Sequence, residues 1–190
     1  LTERSITSGN FVFTPTSIEG VMAVDVKTYG DRRGYFMETY RRDNFAAAGI
    51  DAEFVQDNQS SSSQGVLRGL HFQIAHPQAK LVRVIRGTVF DVAVDLRAGS
   101  PTWGKWEGIV LSEENHRQFF VPRGFAHGFL VLSDEAEFCY KCDDTYHPGD
   151  EGGVMWNDPE IGIVWPAFLG EKNFDPARVI LSDKDKVHPP

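Results

Sequence analysis

An alternation of apolar and polar residues runs through much of the second half of the 190-residue sequence. Its clearest instance has Phe90, Val92, Val94 and Leu96 separated by Asp or Ala, the period-2 pattern of a half-buried strand. From Val66 onward, strand signals recur roughly every ten residues, with turn residues between them. The chain as a whole has 18 Gly, 10 Pro and 14 Phe. Short aromatic-rich strands joined by Gly/Pro turns favour an all-β sandwich or barrel.

Local patterns place the individual elements. Strands are expected at 21–27, 81–85, 89–96, 108–111, 117–121, 128–132, 137–142 and 153–156. The Arg86-Gly87 pair predicts a hairpin between the second and third of these strands, and the serine run 60–63 predicts a loop. One short helix is expected over residues 43–48, capped by Asp43 and ended by Gly49. The segment after Pro166 is predicted to be irregular, with one helical turn.

Size and charge limit the classes of function. A mass of 21.3 kDa predicts one domain, residues 1–190. With 27 acidic against 19 basic side chains the net charge is −8, which disfavours nucleic acid and anionic membranes as partners. No apolar stretch approaches the ~20 residues of a membrane span. Residues 1–10 are polar, and two cysteines cannot form a disulfide framework, so we expect a cytoplasmic protein.

Two histidines stand inside apolar, strand-like segments, His71 in "GVLRGLHFQ" and His127 in "FVPRGFAHGF". A lone histidine in such a setting is usually a hydrogen-bonded core residue. Here, however, "PRGFAH" resembles the second sequence motif of the cupin superfamily, and "GVLRGLH" resembles the start of the first. A metal-binding cupin supplies three histidines and a glutamate. Gln73 stands where the second histidine would be and no Glu follows before Gly87, so we expect a jelly-roll barrel without a metal.

Other polar residues have ordinary interpretations when each is taken alone. Cys139 and Cys142 form a C-x-x-C, but in a strand residues three apart point to opposite faces, so a structural role is expected. Tyr140, on the same face as Phe138, is typical of a barrel-wall packing residue. Single arginines and a lysine at a strand end are most often solvated, and so is a charged tail such as "LSDKDK".

Taken together, the segments resemble one family, the dTDP-4-dehydrorhamnose 3,5-epimerases, which are cupins of deoxysugar biosynthesis. The resemblance extends from about Gly30 to Asp185. It rests on nine motifs in the family's order: "DRRGYFMETY", "FVQDN", "GVLRGLHFQ", "QAKLVRVIRG", "VFDVAVDLRAGSPTWGKW", "FVPRGFAHGFLVLSD", "YKCDDTYHP", "WNDP" and "LSDKD". The resemblance implies a cupin-type jelly-roll barrel with a few short flanking helices, and a homodimer with exchanged N-terminal strands.

The resemblance also implies roles for individual residues. The family's base falls on His71, its partner carboxylate on Asp185, its general acid on Tyr140, and the lysine near the reacting carbonyl on Lys80. Substrate contacts would come from Arg33, Phe36, Glu38, Gln56, Asn58, Arg68, His127, Tyr146 and Lys184. Neither a metal nor another cofactor is implied, in keeping with the absence of a G-x-G-x-x-G fingerprint.

The chemistry implied by the family explains why these residue types are needed together. In a dTDP sugar with a ketone at C4, the protons on C3 and C5 are acidified, and removing either puts charge on O4. Inversion requires a base on one face and an acid on the other. A neutral imidazole with an ordinary pKa of ~6.5 suits the base, an orienting carboxylate fixes its tautomer, and a cation at O4 stabilises the developing charge.

Several alternatives remain open at this point. An enzyme that epimerises only C3 or only C5, or a 3,4-ketoisomerase, could use the same base and tyrosine. A metal-dependent cupin is disfavoured by its missing ligands. A non-catalytic sugar-nucleotide binding module would not need the base, acid and lysine together. Arg68 and His71, three residues apart, would point to opposite faces of an ideal strand; either Gly69 hosts a bulge or Arg68 reaches the site from the barrel rim.

Overall fold

The computed structural model describes residues 4–187 and consists mostly of short antiparallel strands. The strands are β1 (Ile6–Ser8), β2 (Phe11–Pro15), β3 (Met22–Val26), β4 (Thr28–Asp31), β5 (Gly34–Met37), β6 (Gln56–Ser63), β7 (Leu67–Gln73), β8 (Lys80–Arg86), β9 (Thr88–Asp95), β10 (Trp106–Ser112), β11 (Gln118–Val121), β12 (Phe125–Val131), β13 (Glu135–Cys142) and β14 (Glu151–Gly153). A short helix, α1 (Arg42–Ala47), and a 3₁₀ turn at Pro176–Arg178 complete the elements. Neither helical segment found within residues 4–187 has the length and apolar character that a membrane-spanning helix needs.

Two sheets face each other as a jelly-roll barrel, which confirms the predicted fold class. One sheet has seven strands in the order β1-β2-β3-β11-β8-β13-β6, and the other has five in the order β10-β9-β12-β7-β14. Between them lies a core to which the first sheet contributes Val82 and Phe138 and the second contributes Ala93 and Phe129. Strands β4 and β5 form a separate hairpin.

Strand β9 is buried on both faces, so the prediction of a half-buried strand was wrong. Val92 and Val94 pack outside the barrel in a second core that includes Trp165 and Phe168 of the C-terminal segment. The alternate residues, among them Asp91, face the barrel interior and are also buried. Val92 and Val94 of β9 therefore face the outer core and the alternate residues face the barrel interior, because the C-terminal segment covers the face that would otherwise meet water.

Helix α1 covers the outer face of the seven-stranded sheet through Phe45, which packs edge-on against Phe13. Its N-cap is Arg41, which makes no side-chain capping bond. Asp43 lies in the first turn instead, where a carboxylate still favours the helix dipole. Gly49 follows the helix with a φ of +88°, and the predicted terminator is confirmed.

The predicted hairpin at Arg86-Gly87 is not formed. Strands β8 and β9 belong to different sheets, and the turn at Gly87 carries the chain from one to the other. Position 87 requires glycine because its φ is +76° and a Cβ would meet the Glu135 carbonyl oxygen at 2.0 Å. The serine run 60–63 is likewise not a loop, since it forms the end of β6 and pairs with β13 at the sheet edge. Serine has low strand propensity, and the pairing overrides it.

Candidate active site

A cavity of about 650 Å³ opens between the two sheets, and most of the predicted site residues line it. His71, Arg68 and His127 come from the five-stranded sheet, whereas Lys80, Tyr140 and Asn58 come from the seven-stranded sheet. The C-terminal segment closes one side. It contributes Lys184 and Asp185.

His71 and Asp185 form a close pair across 114 residues of sequence. Nε2 of His71 lies 2.5 Å from Oδ1 of Asp185, whose side chain is nearly fully buried. The C-terminal segment reaches this position because Ile180 bonds to both Gly65 and Leu67 beside β7. Burial lowers the pKa of His71, and the Asp185 carboxylate opposes that shift. The pair can therefore present a neutral, oriented imidazole to the cavity near neutral pH.

A bulge in β7 lets Arg68 and His71 line the same cavity. Across the β7–β12 pair, His71 stands opposite His127 and Arg68 opposite Phe129, so Gly69 and Leu70 together face the single residue Gly128. The extra residue re-aims one side chain, so of the two alternatives left open by the sequence it is the bulge at Gly69 that is present. Arg68 then donates from Nε to the hydroxyl of Ser62 on β6, at 3.1 Å.

Lys80 and Tyr140 enter the cavity from neighbouring strands opposite His71. Tyr140 packs against Phe138, as the strand alternation predicts. Burial raises the pKa of the Tyr140 hydroxyl, reinforced by nearby Cys142, and it lowers the pKa of Lys80. Within residues 4–187, the Lys80 ammonium group makes no hydrogen bond or ion pair. Its ammonium group can therefore meet a substrate oxygen without first breaking a salt bridge.

His127 is held by a carboxylate that sequence reasoning missed. Its Nε2 lies 2.9 and 3.0 Å from the two carboxylate oxygens of Asp91, which is fully buried on β9. An aspartate in the middle of an apolar strand is the available signal, but the half-buried pattern places it on the face exposed to solvent.

A smaller cavity of about 280 Å³ adjoins the first and shares His71, Lys80 and Tyr140 with it. Two more predicted contacts line this cavity, Gln56 and Tyr146, with Gln56 accepting a hydrogen bond from the Tyr146 amide at 2.9 Å.

Glu151 lines the smaller cavity as well and was not predicted. It accepts a hydrogen bond from the Tyr146 hydroxyl at 3.0 Å and pairs with Lys184. Its position in the turn-rich stretch "PGDEGG" gives no pattern that marks it.

Three predicted substrate contacts lie away from both cavities. Arg33 is exposed at the tip of the β4–β5 hairpin and is paired with Asp31. Phe36, on β5, is 69% exposed, and Glu38 accepts a bond from Asn10. The fold of a single chain does not bring this hairpin to the site.

Gln73 lines the smaller cavity, but its side-chain amide is bound to backbone groups of the protein. Its amide donates to the His76 carbonyl at 2.7 Å and accepts from the His147 amide at 2.8 Å. No group of three or more His, Cys, Asp or Glu side chains is arranged to hold a metal ion within residues 4–187. Cys139 and Cys142 are both unpaired thiols.

Comparison with known proteins bears directly on this arrangement. Residues 15–190 match the family model described as dTDP-4-dehydrorhamnose 3,5-epimerase. The enzyme of that name from Methanothermobacter thermautotrophicus is 53% identical over 176 residues, covering 93% of this chain and 92% of the relative. The family model and this relative are both named for epimerisation at carbons 3 and 5, which supports a double epimerase over the single-carbon alternatives.

Solved structures of similar enzymes have the same fold as this chain. The dTDP-4-dehydrorhamnose 3,5-epimerase of Elizabethkingia anophelis superposes with a TM-score of 0.87 at 46% identity, covering 95% of this chain and 96% of the other. The dTDP-6-deoxy-D-glucose-3,5-epimerase of Legionella pneumophila, in complex with dTDP-4-keto-L-rhamnose, gives a TM-score of 0.85 at 49% identity, covering 93% and 90%. With the fold, the opposed side chains and these relatives in agreement, the chain belongs to the dTDP-4-dehydrorhamnose 3,5-epimerase family.

Proposed function

We propose that His71 and Tyr140 epimerise dTDP-4-keto-6-deoxyglucose at C3 and C5, giving dTDP-4-keto-rhamnose. The observation that carries this proposal is that the two side chains enter one cavity from opposite sheets. A sugar ring held between them presents one face to the base and the other to the acid, which is the arrangement that inversion needs.

The protonation states favour these roles. Burial lowers the pKa of His71, so its ring is neutral at working pH and can accept a proton. In the neutral ring, a proton on Nε2 donated to Asp185 leaves the lone pair on Nδ1. Burial raises the pKa of Tyr140, so the phenol stays protonated and can return a proton. Such groups contribute about 10²–10⁴ each in rate.

Lys80 is proposed to bind O4, where charge develops when either proton leaves. A preorganised donor at such an oxygen is worth about 3–4 kcal/mol in comparable sites. Since C3 and C5 both flank C4, one base and one cation serve both carbons after the sugar reorients. His127 is proposed to contact the sugar.

The nucleotide end is assigned to the polar residues around the two cavities. Arg68 and Lys184 supply positive charge for the diphosphate, and Tyr146 is half-exposed beside the smaller cavity, where a base can stack on it. Gln56 and Asn58, which bond to each other at 3.0 Å, offer amide groups there.

We further propose that the enzyme works in the cytoplasm as a homodimer, with one catalytic domain spanning 1–190. A second copy would supply Arg33 and Phe36 from its β4–β5 hairpin and Glu38 from the residue that follows β5. The exposure of Phe36 and the distance of this hairpin from the chain's own cavities support that assembly. Its net charge of −8 argues against nucleic acid or membrane partners.

Proton NMR of the substrate in D₂O tests the assignment. Wild-type enzyme should incorporate deuterium at both C3 and C5, whereas His71→Ala should abolish exchange and epimerisation while still binding dTDP by calorimetry. Tyr140→Phe, the matched variant, lacks only the acid; it should retain exchange but impair inversion, above all at C5. Near-normal exchange in His71→Ala would overturn the assignment, and wild-type exchange at C3 alone would indicate a mono-epimerase.

A further inference from the structure

The carboxylate of Asp91 is the most deeply buried charged group beside the cavity. Its residue is 0% exposed, and both its oxygens lie within 3.0 Å of His127 Nε2. Keeping a carboxylate out of water is costly unless it is paired and hydrogen-bonded. This carboxylate lies directly behind His127, which lines the cavity, at a buried position where a leucine or valine would need no partner.

Asp91 holds a ring that belongs to the site. His127 lines the cavity and stands opposite His71 in the β7–β12 pair. With Nε2 bound to Asp91, the neutral His127 ring has its lone pair on Nδ1. Asp91 therefore determines which nitrogen of His127 is left for a substrate.

The same carboxylate also acts on Lys80, which enters from the opposite sheet. Burial lowers the pKa of Lys80, whereas Cys142, Asp91 and Glu151 raise it. The thiol of Cys142 is itself kept neutral, because burial raises its pKa to about 11. Other titratable groups around the cavity are His71, Tyr140, His127, Arg68, Lys184 and Asp185. Each of the nearby carboxylates has its own partner: Asp91 pairs with His127, Glu151 with Lys184 and Asp185 with His71.

We propose that Asp91 is a positioning residue for the reaction: its carboxylate, bound to Nε2, fixes the tautomer and orientation of His127, and its buried charge acts on Lys80 across the cavity. This inference rests on the proposed function, since it assigns Lys80 to the substrate's O4. Asp91 touches no substrate and acts through the two side chains that do.

Strand β9 offers a matched control four residues away. Asp95 is also 0% exposed and lies on the same face of the strand. It is bound by Arg97, Ser100 and Thr102 rather than by a site residue. It lines neither active-site cavity. Asp95→Asn removes the same charge from the same strand without touching His127.

The experiment compares Asp91→Asn with Asp95→Asn in full-length protein, following kcat/KM from pH 6 to 10. In Asp91→Asn, kcat should fall about tenfold or more. The alkaline limb, where Lys80 loses its proton, should move to lower pH, because Asp91 is one of the groups that raise the pKa of Lys80. Binding of dTDP should be unchanged. Asp95→Asn should keep the wild-type profile per folded molecule. Identical profiles in the two variants would reduce Asp91 to a structural role and overturn the proposal.

A second measurement needs no substitution. In ¹⁵N-histidine NMR of the wild-type enzyme, neutral His127 should carry its proton on Nε2, and the Nδ1-protonated tautomer would overturn the proposal. If wild-type enzyme failed to exchange substrate protons, the proposed function would fail instead. The two failures are therefore distinguishable.

Discussion

The protonation states of His71 and Asp185 depend on each other through the 2.5 Å contact that joins them. Burial lowers the pKa of His71, and the carboxylate raises it part of the way back. A base works only when neutral, so activity is lost as pH falls through the pKa of His71. The acid limb of kcat/KM should therefore lie below the ordinary histidine value of about 6.5.

Replacing Asp185 by Asn tests this coupling. Asp185 is the main group that opposes the lowering of the His71 pKa by burial. Without its negative charge, that pKa should fall further and the acid limb should move to still lower pH. The rate at pH 7 should nevertheless fall by about 10²–10⁴, because the ring is misoriented and its cation is less stabilised.

Asp183→Asn is the control, since Asp183 is exposed and pairs with Lys186 rather than with the site. It should leave the pH profile as in wild type. An acid limb that stayed in place or moved upward in Asp185→Asn would contradict the assigned coupling.

At the scale of elements, the bulge in β7 sets the relation between Arg68 and His71. Gly69 adopts a φ of +115°, and a Cβ there would lie 2.6 Å from the His127 carbonyl oxygen and 2.7 Å from Gly128 Cα. Both are backbone atoms of β12, which cannot move without disturbing the sheet. Glycine is required here both by its backbone conformation and by the close approach of β12.

Gly69→Ala should therefore lower the free energy of unfolding by about 2–4 kcal/mol, from backbone strain and overpacking together. It should also reduce kcat, because β12 must shift and His127 with it. Gly49→Ala is the matched control: its φ is +88°, but a Cβ would meet nothing within 4 Å. That variant should lose only about 1–2 kcal/mol and keep full activity per folded molecule. Equal losses in denaturant unfolding would show that the close approach is unimportant.

Strand β9 contributes residues both to the barrel interior and to the outer core under the C-terminal segment. Its apolar face packs under Trp165 of the C-terminal segment, and its other face places Asp91 behind the cavity. The same C-terminal segment delivers Asp185 to His71. One stretch of chain therefore both covers the outer face of β9 and supplies the carboxylate that orients His71.

At the scale of the whole molecule, the site depends on two opposed sheets and, in our proposal, on a second chain. Mixing two inactive variants tests that assembly. His71→Ala lacks the base, and Arg33→Ala lacks the hairpin arginine proposed to bind the nucleotide. In a mixed dimer one site would combine the intact pocket of one chain with the intact hairpin of the other.

The two variants are mixed in equal amounts until their subunits have exchanged to equilibrium. The mixture should then recover about a quarter of wild-type activity, measured at a substrate concentration at which Arg33→Ala alone is inactive. Each variant alone should stay inactive under those conditions, with intact folding by circular dichroism. No recovery, with mixed dimers verified by mass spectrometry, would show that each hairpin serves its own chain.

Much of the fold was accessible from the sequence because side-chain period and turn chemistry are local. Alternation predicted β3, β8 to β13 and the face shared by Tyr140 and Phe138, and the spacing of Arg68 and His71 made a bulge at Gly69 one of two alternatives. The family motifs indicated His71, Lys80, Tyr140 and Asp185, which the fold brings to one cavity.

Only the tertiary structure decided which faces of the strands are interior. Periodicity identifies two faces of a strand but not what covers each, so the half-buried pattern places Asp91 on the exposed face, although it is fully buried behind His127. Pairing between distant segments likewise made a strand of the serine run and sent β8 and β9 to different sheets. The placement of base and acid on opposite sides of a sugar has the same origin, because it depends on sheet packing across residues far apart in the chain.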